Sequence, residues 1–173
     1  IACVDCTGHG VPGGFMSTLG SLLMDKVLEN KIFKPAEILT FLNDEVIRTL
    51  RQHHDGPIQD GMDMSVCLFD RNKKTVEFSG AKNGIIVAKD NLITRYKADP
   101  LPVGGSYMRK GKPIDRKFTS KTIELDKNDW VFMYTDGFLE QPGGPKAMCM
   151  KNSDFENYLK GTISINKDSE RSD

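Results

Sequence analysis

The first 29 residues constrain the fold most, because a strand pattern, a carboxylate, a group of glycines and a helical pattern follow one another directly. Residues 1–4 form an apolar run with a β-branched residue at each end, typical of a buried strand, and the run ends on Asp5. Four glycines follow: Gly8, Gly10, Gly13 and Gly14. Since glycine permits sharp turns, we expect a loop here, before an amphipathic helix over residues 15–29. Proteins of the α/β and α+β classes build functional sites at such strand ends.

A second stretch, residues 130–137, repeats this arrangement late in the chain. Trp130 to Tyr134 is again apolar, and it leads to Asp136 and Gly137. Two strands that each deliver an Asp at one end can converge on a hard cation such as Mg²⁺ or Mn²⁺, which prefers carboxylate, carbonyl and water oxygens. The alternative is that Asp5 and Asp136 each only start a turn.

Between these stretches the pattern changes from helix to strand. Pro35 to about His53 predicts a second amphipathic helix, which packs against the first as a hairpin. From Met62 to Tyr96, short apolar and alternating runs joined by turns predict antiparallel strands. The inward positions predicted for the two helices are Met16, Leu19, Leu22, Leu23 and Val27 in the first, and Ile38, Leu39, Leu42, Val46 and Leu50 in the second.

The last third of the chain continues the strand pattern and ends in a helix. Residues 99–105 are rich in Pro and Gly and predict an irregular loop. Residues 117–135 predict a β-hairpin whose second strand leads to Asp136, and Ser153 predicts the N-cap of a short helix that ends near Leu159. Helices, then antiparallel strands, then a helix indicate an α+β fold with two helices on one face of a strand-rich core.

Composition argues against several classes of protein. A length of 173 residues is typical of one domain, and 24 basic against 24 acidic residues give zero net charge, which argues against a nucleic-acid-binding protein. No apolar run approaches the about 20 residues of a membrane span, and no signal-peptide pattern is present. We therefore expect a cytoplasmic domain, and a membrane anchor elsewhere in the parent chain stays open as an alternative.

Paired cysteines and histidines offer weak metal patterns. Cys3 and Cys6 form a C-x-x-C, but no second pair follows, and reduced thiols are the favoured interpretation. The adjacent His53 and His54 point different ways at a helix end and lack a nearby third ligand. A metal site at either pair is therefore not favoured.

Four motifs together resemble a known family. They are residues 5–17 (DCTGHGVPGGFMS), 60–65 (DGMDMS), 80–83 (GAKN) and 134–137 (YTDG). In this order they are similar to the SpoIIE-like branch of the PPM metal-dependent serine/threonine phosphatases, over nearly the whole chain. The resemblance implies an α-β-β-α sandwich of two antiparallel sheets flanked by helices. It also implies one phosphatase domain over residues 1–173 that lacks the family's first strands and its last strand.

The resemblance implies a site for two Mn²⁺ or Mg²⁺ ions. Asp5 would bridge the ions, the backbone carbonyl of Cys6 would add a ligand, and Asp136 would hold one metal. Asp173 would match a late family carboxylate, whereas the family's early Gly-Asp motif is not found in this chain. His9 would be a proton donor near the leaving oxygen or, in the favoured interpretation, a residue that only shapes the loop.

Two further carboxylates lie in the second motif. Asp60 and Asp63 precede an apolar strand pattern, near where some relatives hold a third metal. The favoured alternative is that both residues form the turn before the strand. Gly61 and Asn83 are interpreted as structural.

The implied activity is hydrolysis of phosphoserine or phosphothreonine on a regulatory protein in bacterial signalling, with an anti-sigma factor antagonist as the family substrate. Two divalent ions can activate water and neutralise phosphoryl oxygens, so no covalent enzyme intermediate is required. The implied partners are the phosphorylated protein, an upstream sensor domain and a second copy in a homodimer. Two alternatives stay open: a pseudo-phosphatase that acts as a binding module, and an unrelated metal-binding α+β phosphohydrolase.

Overall fold

The structure is a computed structural model that describes residues 1–53, 56–89, 92–109, 112–114, 116–143 and 148–169. Its helices are α1 (Gly10–Glu29), α2 (Pro35–Thr49), α3 (Gly137–Glu140) and α4 (Asn152–Ser169). Its strands are β1 (Ala2–Cys6), β2 (Gly61–Asp70), β3 (Thr75–Ala81), β4 (Ile85–Lys89), β5 (Leu92–Tyr96), β6 (Val103–Gly104), β7 (Met108–Arg109), β8 (Lys112–Pro113), β9 (Lys121–Glu124) and β10 (Trp130–Met133).

The chain divides into two compact units. Unit 1 contains residues 1–84 and 97–125, and unit 2 contains residues 85–96 and the described residues from 126 onward. The candidate ligand Asp5 belongs to unit 1, and the candidate ligand Asp136 belongs to unit 2.

Unit 1 is an antiparallel sheet with two helices. The strand order is β1-β2-β3-β9, and β6 pairs with the beginning of β2. Its core joins residues of α1, α2 and the sheet, and the members with the least exposure are Leu23, Val27, Leu39, Leu42, Val46, Met62, Met64, Ala81 and Val103. Apolar residues at helical spacing in α1 and α2 therefore meet apolar residues at alternate positions of β2.

Unit 2 is a smaller antiparallel sheet in the order β10-β4-β5, with α4 packed against it. Ile86 of β4 contacts Phe155 and Leu159 of α4 in a buried cluster. Arg95 of β5 ties the same helix to the sheet, because its guanidinium lies 3.1 Å from Glu156 Oε1 and donates to Tyr134 Oη at 2.8 Å.

The α+β prediction is confirmed, since antiparallel sheets and helices make up the described chain. The prediction for 117–135 is wrong as a hairpin: β9 pairs with β3 in unit 1, whereas β10 pairs with β4 in unit 2. A short turn over 126–129 permits pairing but does not require it. The strand β4 is buried at four successive positions, so it takes β10 as one neighbour and β5 as the other.

Several boundaries also differ from the predictions. The helix α1 begins at Gly10 rather than at Phe15, and Leu22 is 58% exposed rather than inward. The loop predicted over 99–105 contains the short strand β6. The last helix begins before Ser153 and extends well beyond Leu159, and α3 was not predicted. No helix within the described residues is long and apolar enough to cross a membrane.

The four cysteines are free thiols in the structure. Because side chains alternate along a strand, Cys3 and Cys6 point to opposite faces of β1 and cannot form one chelating pair. Cys67 is buried, and this burial raises the pKa of its thiol to about 11. The interpretation of C-x-x-C as a metal or redox motif therefore loses its structural basis.

Candidate metal centre

The pairing of β1 with β2 brings two carboxylates face to face. Asp5 and Asp63 are partners in the antiparallel register, so their side chains lie on the same face of the sheet with Cβ atoms about 4.5–5.5 Å apart. Asp63 therefore lies within β2 and does not form a turn before it, which corrects the prediction for this residue. Carboxylate oxygens are ligands that Mg²⁺ and Mn²⁺ prefer.

The opposite face of β1 lies towards α1. Ala2, Val4 and Cys6 line a cavity of about 350 Å³ together with residues of α1 and with Met62 and Met64 of β2. Cys3 and Asp5 alternate with these residues and lie on the other face. The strand thus separates an apolar face from the face that carries the carboxylates.

Cys3 lies next to Asp5 on the same face of β1, and Asp5 affects the pKa of its thiol. The pKa of the Cys3 thiol is raised, first by burial and second by the Asp5 carboxylate two residues away. Burial and a neighbouring negative charge each disfavour the thiolate form of Cys3. Cys3 therefore stays protonated near neutral pH. Asp5 and Asp63 are the two carboxylates that the register brings together on this face.

The backbone pattern of β1 directs the Cys6 carbonyl away from β2. Ile1 exchanges two hydrogen bonds with Cys67, and the Thr7 N–H donates to the Gly61 carbonyl at 2.9 Å. Odd-numbered residues of β1 are therefore the hydrogen-bonded positions, and Cys6 is a position whose N–H and C=O point away from β2. This orientation fits the predicted use of the Cys6 carbonyl as a ligand, which stays a prediction.

Thr7 ends the ladder with its side chain. Its hydroxyl donates to the Gly61 carbonyl at 2.9 Å and accepts from the Gly61 N–H at 3.0 Å. The hydroxyl therefore takes the place that the Thr7 carbonyl would occupy if β1 continued. This clamp fixes the point where the chain leaves the sheet, one residue after Cys6.

Replacing Thr7 by Val is expected to lower the free energy of unfolding by about 1–2 kcal/mol, because the shape is kept but the two side-chain hydrogen bonds are lost. We also expect weaker Mn²⁺ binding, since the carbonyl of the preceding Cys6 is no longer held. Urea unfolding and calorimetric Mn²⁺ titration measure both effects. Thr7→Ser keeps the hydroxyl and should behave like the wild type. Equal Mn²⁺ affinities in the Val and Ser variants would contradict this role.

The glycines after Thr7 form less loop than predicted. Only residues 7–9 separate β1 from α1, because α1 takes in Gly10, Pro12, Gly13 and Gly14. Pro12 costs no hydrogen bond at the third helical position, where the N–H has no intrahelical partner. A side chain on Gly13 would approach the Gly8 carbonyl oxygen to 2.8 Å, so glycine lets the first turn of α1 lie directly against the loop.

His9 precedes α1 as its N-cap residue. Its side chain is exposed and makes no capping hydrogen bond to the helix. The predictions for His9, as a proton donor or as a residue that shapes the loop, both remain open.

Asp136 follows β10 and precedes α3. Its backbone carbonyl accepts from the Leu139 and Glu140 N–H groups at 2.7 and 2.9 Å, but its exposed side chain makes no capping hydrogen bond. The turn is therefore made by the backbone, and the carboxylate serves no cap of α3. This arrangement fits a ligand role in unit 2, which stays a prediction.

The predicted ligand Asp173 lies outside the described residues, as does His54 of the disfavoured histidine pair. Among the residues that the structure describes, no group of three or more His, Cys, Asp or Glu side chains could hold a metal ion. A hard cation that keeps several waters needs only one or two carboxylates, so the facing Asp5 and Asp63 fit such an ion.

Two buried amides, which the sequence did not single out, hold the beginning of β2. Gln52 donates to the Asp60 carbonyl and accepts from the Gly105 N–H, each at 2.6 Å. Asn43 accepts from the Gly104 N–H at 3.1 Å. Both amides are at most 5% exposed. They connect α2 and the segment after it with the backbone at the beginning of β2 and at β6, next to the Thr7 clamp.

Gly61 is required at this crossing of strands. A Cβ at this position would lie 2.4 Å from the Val103 carbonyl oxygen of β6. The guanidinium of Arg116 also contacts β6, because it donates to the Gly104 carbonyl at 2.6 Å, and it lies 4.6 Å from the centre of the Tyr107 ring. The interpretation of Gly61 as structural agrees with this close approach.

Comparison with solved structures gives the same fold. The SiaA-PP2C domain of Pseudomonas aeruginosa matches with 25% identity and a TM-score of 0.78, over 92% of this chain and 59% of that domain. The RsbU and RsbW domains of Rv1364c from Mycobacterium tuberculosis match with 20% identity and a TM-score of 0.66, over 94% of this chain and 42% of theirs. This chain spans less than two thirds of the length of either structure.

A third structure carries metal. The catalytic domain of the serine/threonine phosphatase PstP, described in complex with two manganese ions, matches with 12% identity and a TM-score of 0.56, over 95% of this chain and 80% of that domain. At this identity the likeness concerns the fold alone. No curated protein matches the chain significantly.

The sequence comparison identifies the family. The family described as Stage II sporulation protein E (SpoIIE) matches residues 1–166, which is nearly the whole chain and includes all four motifs of the resemblance. The fold of unit 1, with Asp5 at the end of β1, agrees with this match. The chain belongs to the SpoIIE family of PPM-type phosphatase domains.

Proposed function

We propose that this protein is a Mn²⁺- or Mg²⁺-dependent phosphatase that removes phosphate from serine or threonine of a regulatory protein. The observation that carries the proposal is the register of β1 with β2, which sets Asp5 opposite Asp63 beside the loop of the family motif. Relatives in the comparison are phosphatases, and one of them is a manganese complex. Bound divalent ions would supply an activated water and neutralise the charge of the phosphoryl oxygens.

The roles of the protein's own residues follow from their positions. By the family resemblance, the metal ligands would be the Asp5 carboxylate, the Cys6 carbonyl and the Asp136 carboxylate. Asp5 is fixed by its ladder bonds to β2, and Cys6 is fixed by the Thr7 clamp on its other side. Asp136 is fixed by the backbone turn that begins α3. Rigid backbone at each ligand reduces the reorganisation needed when an ion binds.

The substrate would be a phosphorylated protein of a bacterial signalling pathway, and we infer an anti-sigma factor antagonist. Support comes from the match to the RsbU and RsbW domains and from the match to SpoIIE. An upstream sensor domain and a homodimer stay predictions of the family resemblance. The molar mass of the full-length protein by light scattering would check the homodimer.

The test is phosphate release from a phosphoserine protein by the full-length protein, with and without Mn²⁺, for the wild type and for Asp136→Asn. We expect Mn²⁺-dependent activity that falls by about 10²-fold or more in the variant, because one charged ligand is lost. A small phosphate ester serves as a second substrate. Activity on the ester but not on the phosphoserine protein would contradict a protein substrate, and no activity in a folded protein would favour a binding module.

A further inference from the structure

We propose that Lys82 is a phosphoryl-binding residue, whose ammonium group contacts an oxygen of the substrate's phosphate beside the Asp5–Asp63 pair. The proposal rests on the proposed function and adds to it a residue that recognises substrate rather than metal. Sequence analysis assigned no role to this lysine.

The ammonium group of Lys82 lies beside the Asp5–Asp63 pair. Lys82 Nζ lies 2.9 Å from Asp63 Oδ2, and Asp63 is the partner of Asp5 across the β1–β2 ladder. The three side chains therefore share one end of the unit 1 sheet, on the face away from α1. The Lys82 side chain is 49% exposed and that of Asp63 is 29% exposed, so the ammonium contacts both the carboxylate and the solvent from which a phosphate would arrive.

A rigid backbone presents this side chain. Lys82 follows the last residue of β3 with a φ of 60°, and its N–H donates to the Asp99 carbonyl at 2.7 Å. The next N–H, of Asn83, donates to the Ala81 carbonyl at 2.7 Å. Gly80 fixes the same tip, because a Cβ there would lie 2.3 Å from the Asn83 carbonyl oxygen. The base of the Lys82 side chain is thus held at the end of the strand next to Asp63.

The negative charge of the substrate also favours a cation beside the two carboxylates. A phosphoserine carries a charge of about −1.5 to −2 at neutral pH, and two facing carboxylates would repel it. Metal ions at the carboxylates reduce this repulsion, and an ammonium beside them adds a directed donor. Lysine has three N–H donors, so it can contact a phosphoryl oxygen while it keeps its bond to Asp63. Hydrogen bonds between an ammonium and a phosphate are among the strong ones in proteins.

The competing explanation is that Lys82 only neutralises Asp63. Under that explanation, loss of the ammonium changes the stability of the fold or its affinity for metal, but not the affinity for phosphate. The chain offers a matched control in Lys73, whose Nζ lies 3.4 Å from Asp70 Oδ2 at the other end of the same β2–β3 hairpin. Lys73 pairs with an Asp of β2 as Lys82 does, but it lies away from Asp5.

The experiment is isothermal titration of inorganic phosphate into the Mg²⁺-loaded full-length protein, with Lys82→Met, Lys82→Arg and Lys73→Met compared with the wild type. We expect Lys82→Met to weaken phosphate binding by about tenfold or more, since a charge-assisted hydrogen bond is lost. Lys82→Arg should recover most of the affinity for phosphate. Lys73→Met should bind phosphate with the affinity of the wild type. Mg²⁺ affinity should not fall in Lys82→Met, because a positive charge near the ions is removed.

Kinetics with a phosphoserine protein complete the test. Lys82→Met should raise KM more than it lowers kcat if the ammonium binds the phosphoryl group of the ground state. Equal phosphate affinity in the wild type and Lys82→Met, or absence of phosphate binding in the wild type, would overturn the proposal for Lys82. Absence of phosphate release by a wild type that still binds phosphate would overturn the proposed function alone. Lys82→Gln replaces Lys82→Met if the latter fails to fold.

Discussion

Replacing Asp5 by Asn should reduce Mn²⁺-dependent phosphate release by about 10²–10⁴-fold, because under the proposed function the variant would lose a charged metal ligand and several kcal/mol of charge stabilisation. The fold should be kept, since Asn has the same size and the backbone bonds between Asp5 and Asp63 do not involve the side chain.

Two measurements separate the metal effect from a folding effect. Electron paramagnetic resonance of added Mn²⁺ reports the bound fraction, and circular dichroism reports the fold. Asp25→Asn is the matched control, because Asp25 is an exposed carboxylate in α1. Wild-type Mn²⁺ binding in Asp5→Asn would remove this residue from the metal site and would leave the proposed function without the observation that carries it.

Replacing Phe78 by Ala should lower the free energy of unfolding by about 3–5 kcal/mol, the largest stability effect that we expect for a single residue. Phe78 is 1% exposed in β3, where it pairs with Cys67 of β2 and with Lys121 of β9. Its ring packs over Gly80, at which a Cβ would lie 2.8 Å from the ring edge. The cavity left by Ala would thus lie in the middle of the unit 1 sheet.

Urea unfolding, followed by circular dichroism and by tryptophan fluorescence, measures this effect. The chain contains one tryptophan, Trp130 in β10, so fluorescence reports unit 2 while the substitution lies in unit 1. Coincident shifts of both signals would mean that the units unfold together, whereas a shift in circular dichroism alone would mean separate unfolding. Phe33→Ala is the control, because Phe33 is 56% exposed and its replacement should change the free energy of unfolding little. A Phe78→Ala variant as stable as the Phe33→Ala control would contradict the burial of the Phe78 ring in the sheet.

Local pattern predicted the strands that carry the site better than it predicted their partners. The apolar run before Asp5 and the run before Asp136 are both strands, β1 and β10. Their partners depend on contacts far apart in sequence, so the hairpin expected over 117–135 was wrong. The beginning of α1 was missed for another reason: glycine and proline disfavour a helix interior, but they are tolerated in the first turn, where N–H groups lack partners.

The contrast between local pattern and strand pairing also explains why Asp63 and Lys82 were missed at the site. Asp63 lies between Met62 and Met64, and this alternation already indicated a polar residue on the face opposite two buried methionines. Its position opposite Asp5 follows only from the register of two strands that lie more than fifty residues apart. Lys82 had no local signal, because its contact with Asp63 depends on that register and on the turn after β3.

The alternation along β1 makes the site depend on the count of residues in this strand as well as on their identity. Deleting Val4 would move the Asp5 carboxylate to the face of α1 if the residues before it kept their register. If the loop kept its place instead, the deletion would bring Cys3 among Met62 and Met64. Members of this family should therefore accept many substitutions in the strand but few insertions or deletions of a single residue. An alignment of their sequences would then show gaps after Gly14 and almost none before Thr7.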